Sequence, residues 1–328
     1  MCNGSILPKL LKFSLPLMLS SVLQLLFNAA DIIVVGNFAS EHSLAAVGST
    51  TALINLITNL FLGLSTSSNV LSANYMGAGD DDRVSKTVHT SLLISVISGL
   101  ILTVIGIAFT EQMLIWMQTP EEVLNLSAIY LRIYFGGMVA MMIYNFGSAL
   151  LRSKGDTKRP LYYLAFSGVI NIILNLIFVI CFNMDVAGVG LATVISQCVS
   201  AFLVVRCLYK ETDAFHFDFR KLKIDKKIMS KIFSIGIPAG FQGVVFSLSN
   251  VVIQSSVNSF GPVVMAGSAA AASIEGFVWV SMNSFSQGAL TFTSQNIGAG
   301  KYSRVNKIAV IACSCAAHSA YRTDNAVH

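Results

Sequence analysis

Residues 16–86 recur at 238–307 with one residue of slippage. Pro16, Asn28, Val35 and Phe38 return 222 positions later as Pro238, Asn250, Val257 and Phe260. After a single deletion, Gly77, Ala78, Gly79, Arg83, Val84 and Lys86 return as Gly298, Ala299, Gly300, Arg304, Val305 and Lys307. A repeat of this length dictates two structurally related halves, so whatever the first half folds into, the second must begin to copy.

The medium in which the halves fold follows from charge. Only 11% of residues are charged and 54% are hydrophobic, against about 25% charged in a soluble domain. The chain is therefore read as a polytopic membrane protein. Its net charge of +5 does not point to nucleic acid, because the basic residues sit in short clusters between apolar runs. That is how membrane proteins mark one side of the bilayer. The six cysteines and five histidines have no metal-ligand spacing, and no nucleophile and base stand at usable spacing. Neither a metal centre, a cofactor nor an enzyme is expected.

A helix crosses the hydrocarbon in about 20 residues. Spans are expected at 10–36, 44–75, 88–110, 127–151, 161–183, 187–209, 232–258 and 265–295, with a ninth starting near 305. Every Lys and Arg except Arg132 and Arg322 falls at or before the start of span one, or in or at the edge of an even-numbered connection, whereas the alternate connections hold Glu41, Glu111, Glu121, Glu122 and Asp185. This asymmetry predicts a cytoplasmic N-terminus in the cytoplasmic membrane. An even number of spans per repeat makes the halves parallel, related by an axis along the membrane normal. The expected organisation is a six-helix lobe at 1–210, a linker at 211–231 and an incomplete second lobe at 232–328. Phe215, Phe217 and Phe219 alternate among polar residues in the linker, which reads as a segment lying on the lipid surface.

Polar groups inside the spans fall into stripes. Gln24, Asn28 and Asp31 share one helix face, as do Ser167, Asn171 and Asn175, and Thr193, Gln197 and Ser200. Amides and hydroxyls commonly join membrane helices. A carboxylate costs roughly 2.5–3.5 kcal/mol to insert and marks a functional site. Asp31 among amides suits a proton, or Na⁺ held by hard oxygen ligands, and the residues alone do not choose between them. Ser247, Asn250, Gln254 and Asn258 form a further stripe expected to line the same cleft. Glu275 aligns with Ile54 and has no acidic counterpart in the first half. Beside Phe277, Trp279 and Met282 it suits an amphipathic cation, or else pairs with a group beyond this chain. Arg132 is read as structural.

Taken together, PLMLSSVLQLLFNAAD at 16–31, LRSKGDTKRP at 151–160, the stretch 171–197 ending in GVGLATVISQ, and the twice-used Gly-Ala-Gly loop resemble the multidrug and toxic compound extrusion (MATE) family. The likeness covers about 6–311. It implies an all-α fold of twelve helices in two six-helix bundles around a V-shaped cleft. It also implies export of cationic, lipophilic drugs in exchange for H⁺ or Na⁺, by a protein expected to be monomeric. Asp31 then matches the coupling carboxylate, with Asn171, Asn175 and Thr193 as its partners. Gln24, Phe27, Asn28, Gln197, Asn250, Gln254, Glu275 and Met282 are candidates for the substrate cleft. Asn175 stands where some members have aspartate and Phe27 where some have tyrosine. The lost negative charge at Asn175 weakens a Na⁺ site relative to proton coupling.

After Ile311 the sequence turns polar and leaves the repeat, so the ninth span is expected to stop as a stub. Two other readings follow. A lipid-linked oligosaccharide flippase of the same superfamily would want basic residues in the cleft, and the stripes have none. A truncated membrane fragment would not transport at all.

Overall fold

The computed structural model describes residues 1–38, 41–117, 119–258 and 262–325. Among them the chain is helical throughout, with ten α-helices: α1 Ile6–Phe38, α2 Glu41–Ala78, α3 Asp81–Trp116, α4 Glu121–Gly136, α5 Met138–Lys154, α6 Lys158–Leu176, α7 Asp185–Lys210, α8 Lys226–Asn258, α9 Pro262–Gly298 and α10 Tyr302–Asn325. A single π-helical turn, Ile177–Cys181, extends α6, and a short 3₁₀ turn, Phe219–Lys221, lies between α7 and α8.

Local chemistry ends the helices where the sequence places turns. Gly79 and Gly300, repeat mates, take left-handed φ values of 71° and 68°, which glycine adopts without a Cβ clash. Asp80 then caps α3 by accepting from the Arg83 N–H at 3.0 Å. In the basic turn, Gly155 (φ 101°) closes α5, and Asp156 Oδ1 accepts from the Lys158 and Arg159 N–H groups at 3.1 Å to start α6.

Among the described residues, six helices are long and apolar enough to cross a bilayer: Ile6–Phe38, His42–Ala78, Asp81–Trp116, Lys158–Cys181, Asp185–Lys210 and Lys226–Asn250. The expected span 127–151 is not one straight helix. It breaks at Gly137 into α4 and α5, which meet at 48°. The glycine pair loosens the backbone there, and the Thr103 hydroxyl of α3 donates to the Phe135 carbonyl at 2.8 Å, occupying an acceptor at the break. The two pieces together make a seventh span.

The expected start of a ninth span near 305 corresponds to α10, a 24-residue helix that runs through the polar stretch to Asn325. Its composition keeps it out of the set of membrane-crossing helices, but Ile308 and Ala312 pack into a core formed with Ile6, Leu10, Phe13 and Leu17 of α1 and Phe285 and Phe292 of α9. That burial supplies what the polar sequence lacks.

The linker is corrected too. Phe215 and Phe217 are 2% and 3% exposed and belong to the main core; only Phe219 faces outward, at 61%. Residues 211–225 form a strap across the end of the first bundle. Lys154 pairs with Glu211 and Asp213, and Arg159 with Glu211 and Asp156.

Helices from the two ends of the sequence meet chiefly at the basic-loop end. α2 packs most extensively on α8 and also on α9, while α1 packs on α9. Glycines permit this approach: a Cβ on Gly63 would collide with the backbone of Gly236 and Gly240. Asn69 Nδ2 donates to Thr291 Oγ1 at 3.1 Å, and Asn59 Nδ2 to Ser247 Oγ at 3.0 Å. Ser247 thus joins α8 to α2.

Candidate functional site

Asp31 lies in the last third of α1 and faces α6. Its Oδ1 accepts from Asn175 Nδ2, the same amide nitrogen reaches Asn171 Oδ1 at 3.3 Å, and Asn171 Nδ2 donates to Thr193 Oγ1 at 3.4 Å. The Thr193 hydroxyl in turn donates to the Val189 carbonyl at 2.9 Å. Three helices therefore contribute to one chain of polar groups that ends on a carboxylate. Asn171 and Asn175 are buried.

A carboxylate oxygen only accepts, so the Asp31 contact fixes which end of the Asn175 amide faces it. Asn175 Oδ1 consequently points elsewhere, buried and with no hydrogen-bond partner among the described residues. An orphaned buried acceptor costs about 1–3 kcal/mol. Beside an acid, it is a position where a proton donor or a hard cation would be favoured.

Sequence reasoning missed several neighbours. Tyr130 and Tyr134, one turn apart on α4, hold their rings 5.9 Å apart. Their i, i+4 spacing was the available signal, but it equally describes ordinary core packing. The π turn directly after Asn175 was invisible in the pattern; such turns often occur at functional sites. Phe27, one turn before Asp31, presses its ring onto Gly168 of α6, where no Cβ could be accommodated without moving it.

The remaining expected residues are not drawn into this network. Gln24, Asn28 and Asn250 are exposed, Gln197 is half-buried, and Ser167 Oγ bonds back to the Leu164 carbonyl of its own helix at 3.0 Å. Glu275 and Met282 are exposed, and the Gln254 side chain lies outside the described residues. Arg132 pairs with Glu111 at 2.6 Å, tying α4 to α3. A separate cavity of about 590 Å³ opens between α2, α8 and α9, lined by Asn59, Thr66, Asn283 and Gln287 with Leu62 and Leu290. Asp31 is not part of its wall.

The MatE family model matches residues 16–177 and 238–318. The chain belongs to the MatE family. The two matched segments begin at Pro16 and Pro238, the repeat mates inside α1 and α8. Among curated relatives, the MatE chain is 31% identical over 303 residues to the probable multidrug resistance protein YoeA of Bacillus subtilis, which covers 90% of this chain and 65% of that protein. It is 25% identical over 317 residues to the multidrug export protein MepA of Staphylococcus haemolyticus, covering 96% of this chain and 70% of that one. The chain thus spans about two-thirds of the length of these relatives.

Solved structures place the fold. A MOP superfamily transporter from Pyrococcus furiosus superposes with a TM-score of 0.90 at 23% identity, covering 99% of this chain and 72% of that one. The outward-facing conformation of a multidrug resistance MATE family transporter gives 0.89, also at 23% identity and 99% coverage of this chain. The MatE chain is a multi-pass membrane protein of this all-helical fold, shorter than its twelve-helix form.

Proposed function

We propose that the chain carries the ion-coupled half of a multidrug antiporter, exporting cationic amphipathic compounds in exchange for H⁺, with Asp31 as the coupling group. The single observation that carries this reading is the Asp31–Asn175 contact with the orphaned Asn175 Oδ1 behind it. Three amide and hydroxyl groups offer dipoles but no second charge, which suits a single proton better than Na⁺. Protonation of Asp31 would remove the negative charge and convert its acceptor contact with Asn175 into a competition for donors, loosening α1 from α6. A bound ion shifts such an equilibrium only by its differential affinity for the two arrangements. The basic-loop end, where α1, α2, α8 and α9 meet, would be cytoplasmic, with the membrane being the plasma membrane and the protein acting as a monomer.

The test is exchange in proteoliposomes. The chain, loaded with a fluorescent organic cation and given an inward proton gradient, should release the dye, and Asp31→Asn at equal incorporation should abolish the release. Release that persists undiminished in Asp31→Asn removes the coupling role. Absence of release in the unaltered chain overturns the antiport reading.

A further inference from the structure

The strap at residues 211–225 is held by a histidine in a way that admits only its neutral form. His89 of α3 is 3% exposed. Its Nδ1 lies 2.7 Å from the Ser85 carbonyl oxygen, and its Nε2 lies 3.2 Å from the Asp218 backbone nitrogen. Both partners have fixed roles. A carbonyl only accepts, so Nδ1 carries the hydrogen; a backbone N–H only donates, so Nε2 must offer its lone pair. The Phe217 ring packs on the imidazole at a centroid distance of 5.6 Å. Next along the strap, the Asp225 N–H donates to Thr90 Oγ1 at 3.1 Å, one residue from His89 on α3.

We propose that His89 is a pH-sensitive latch: a proton arriving at Nε2 occupies the lone pair that receives the Asp218 N–H, turns the contact into two facing donors, and undocks the strap from α3. The consequence reaches α8, because Asp225 both anchors the strap and caps α8 through the Lys227 and Ile228 N–H groups at 2.9 and 3.0 Å. Acid on this face would therefore free the start of α8 from α3.

The surrounding charges leave His89 in this role alone. Asp218 spends its carboxylate on the Arg220 N–H at 2.9 Å. Glu211 and Asp213 are paired with Lys154, and Lys86 of α3 with Asp82. On α2, Tyr75 is flanked by Arg83 and by Lys231 of α8. Ser85 also borders a cavity of about 430 Å³, with Glu211, Asp213, His216 and Lys221 on its other walls, which gives water a route to the strap. His216 differs from His89 in the decisive respect. Its Nδ1 lies 2.8 Å from the Glu211 carbonyl, and among the described residues no donor is directed at its Nε2, so a proton there displaces no bond.

Hydrogen exchange of the intact chain in lipid nanodiscs tests this, with rates corrected for the intrinsic pH dependence of amide exchange. Between about pH 8 and pH 5, the interval of imidazole chemistry, protection of the Phe217 and Asp218 amides should fall by up to about tenfold per pH unit, the slope of one linked proton. His89→Gln should flatten that profile and His216→Gln should retain it. A flat profile in the unaltered chain, an unchanged slope in His89→Gln, or a slope lost in His216→Gln each overturns the proposal. Should His89→Gln not fold, imidazole ¹⁵N shifts of the unaltered chain at pH near 8 decide: His89 must be the neutral Nδ1–H tautomer that the Ser85 and Asp218 contacts require, and an Nε2–H tautomer or an imidazolium there overturns the latch.

Discussion

Gly77 and Gly298 are repeat mates, and each backs onto the other's helix at the equivalent place. A Cβ on Gly77 would collide with the carbonyl oxygen of Gln295, and one on Gly298 with that of Asn74, the residues three positions before each glycine. The contact is thus nearly self-complementary about a local two-fold axis, as an isologous dimer interface would be. Gln295 Nε2 extends it by donating to the Ser153 carbonyl at 2.7 Å, and Asn74 Nδ2 by donating to the Ser294 carbonyl at 3.3 Å.

Gly77→Ala and Gly298→Ala should each destabilise the chain by about 1–3 kcal/mol, the range for overpacking a filled contact. Gly48→Ala is the internal control: a Cβ there meets nothing within 4 Å, so helix propensity alone should make it neutral or stabilising by about 0.5–1 kcal/mol. Thermal unfolding in detergent separates the three. Equal midpoints for Gly77→Ala and Gly48→Ala would contradict the packing.

Gly168→Ala should displace the Phe27 ring and with it the approach to Asp31, changing the apparent affinity for an organic cation. Because the collision is with the ring of one side chain, Phe27→Ala in the same background should restore affinity. Dye binding across this double-mutant cycle gives the coupling, expected at about 0.5–3 kcal/mol for residues in contact. Additive effects would deny it.

Phe217→Ala removes a buried aromatic from the strap and should cost about 3 kcal/mol or more of local stability. Trypsin should then cut faster at the exposed Arg220, Lys221 and Lys223, while sites elsewhere keep their rates. Uniform acceleration at all sites would indicate global unfolding instead.

Asp213 sets a second, more acidic limit on the strap. Partial burial pushes its carboxyl up, but Lys154 and the Phe215 N–H outweigh this and hold it below the usual carboxylate range. A depressed carboxyl stabilises the docked strap above the value of the free group and loses that contribution as pH falls through the docked one. The effect belongs below about pH 4, clear of the imidazole interval, and is under about 1 kcal/mol because the pair is solvent-accessible. Asp213→Asn should remove only this low-pH step in exchange of the strap amides. Loss of the step near neutrality instead would refute the assignment.

Thr103→Val deletes the hydroxyl that meets the Phe135 carbonyl at the α4–α5 break. A loss of about 1 kcal/mol is expected, with a narrower angle between the two helices readable from spin-label distances.

Several features were legible in the sequence for local reasons. Hydrophobic length set the spans, turn residues set their ends, the repeat set Gly79 against Gly300, and helical spacing put Asn171 and Asn175 on one face. Each depends on residues within a few positions of one another, or on a copy of the same text. What the sequence left open was rotation and contact. A stripe says which face is polar but not what it meets: Asp31 meets Asn175, while Gln24 and Asn28 of the same stripe stay exposed. The contact beside the kink at Gly137 joins Thr103 to Phe135, 32 residues apart, and the Asp31–Asn175 pair joins residues 144 apart. The burial of Phe215 and Phe217 beneath an end of the bundle, which reversed a lipid-surface reading, exists only once α3, α5 and α7 are packed. Patterning follows from the chain's own periodicity; partners follow from how close the helices can approach, and here glycine contacts between distant helices decided that.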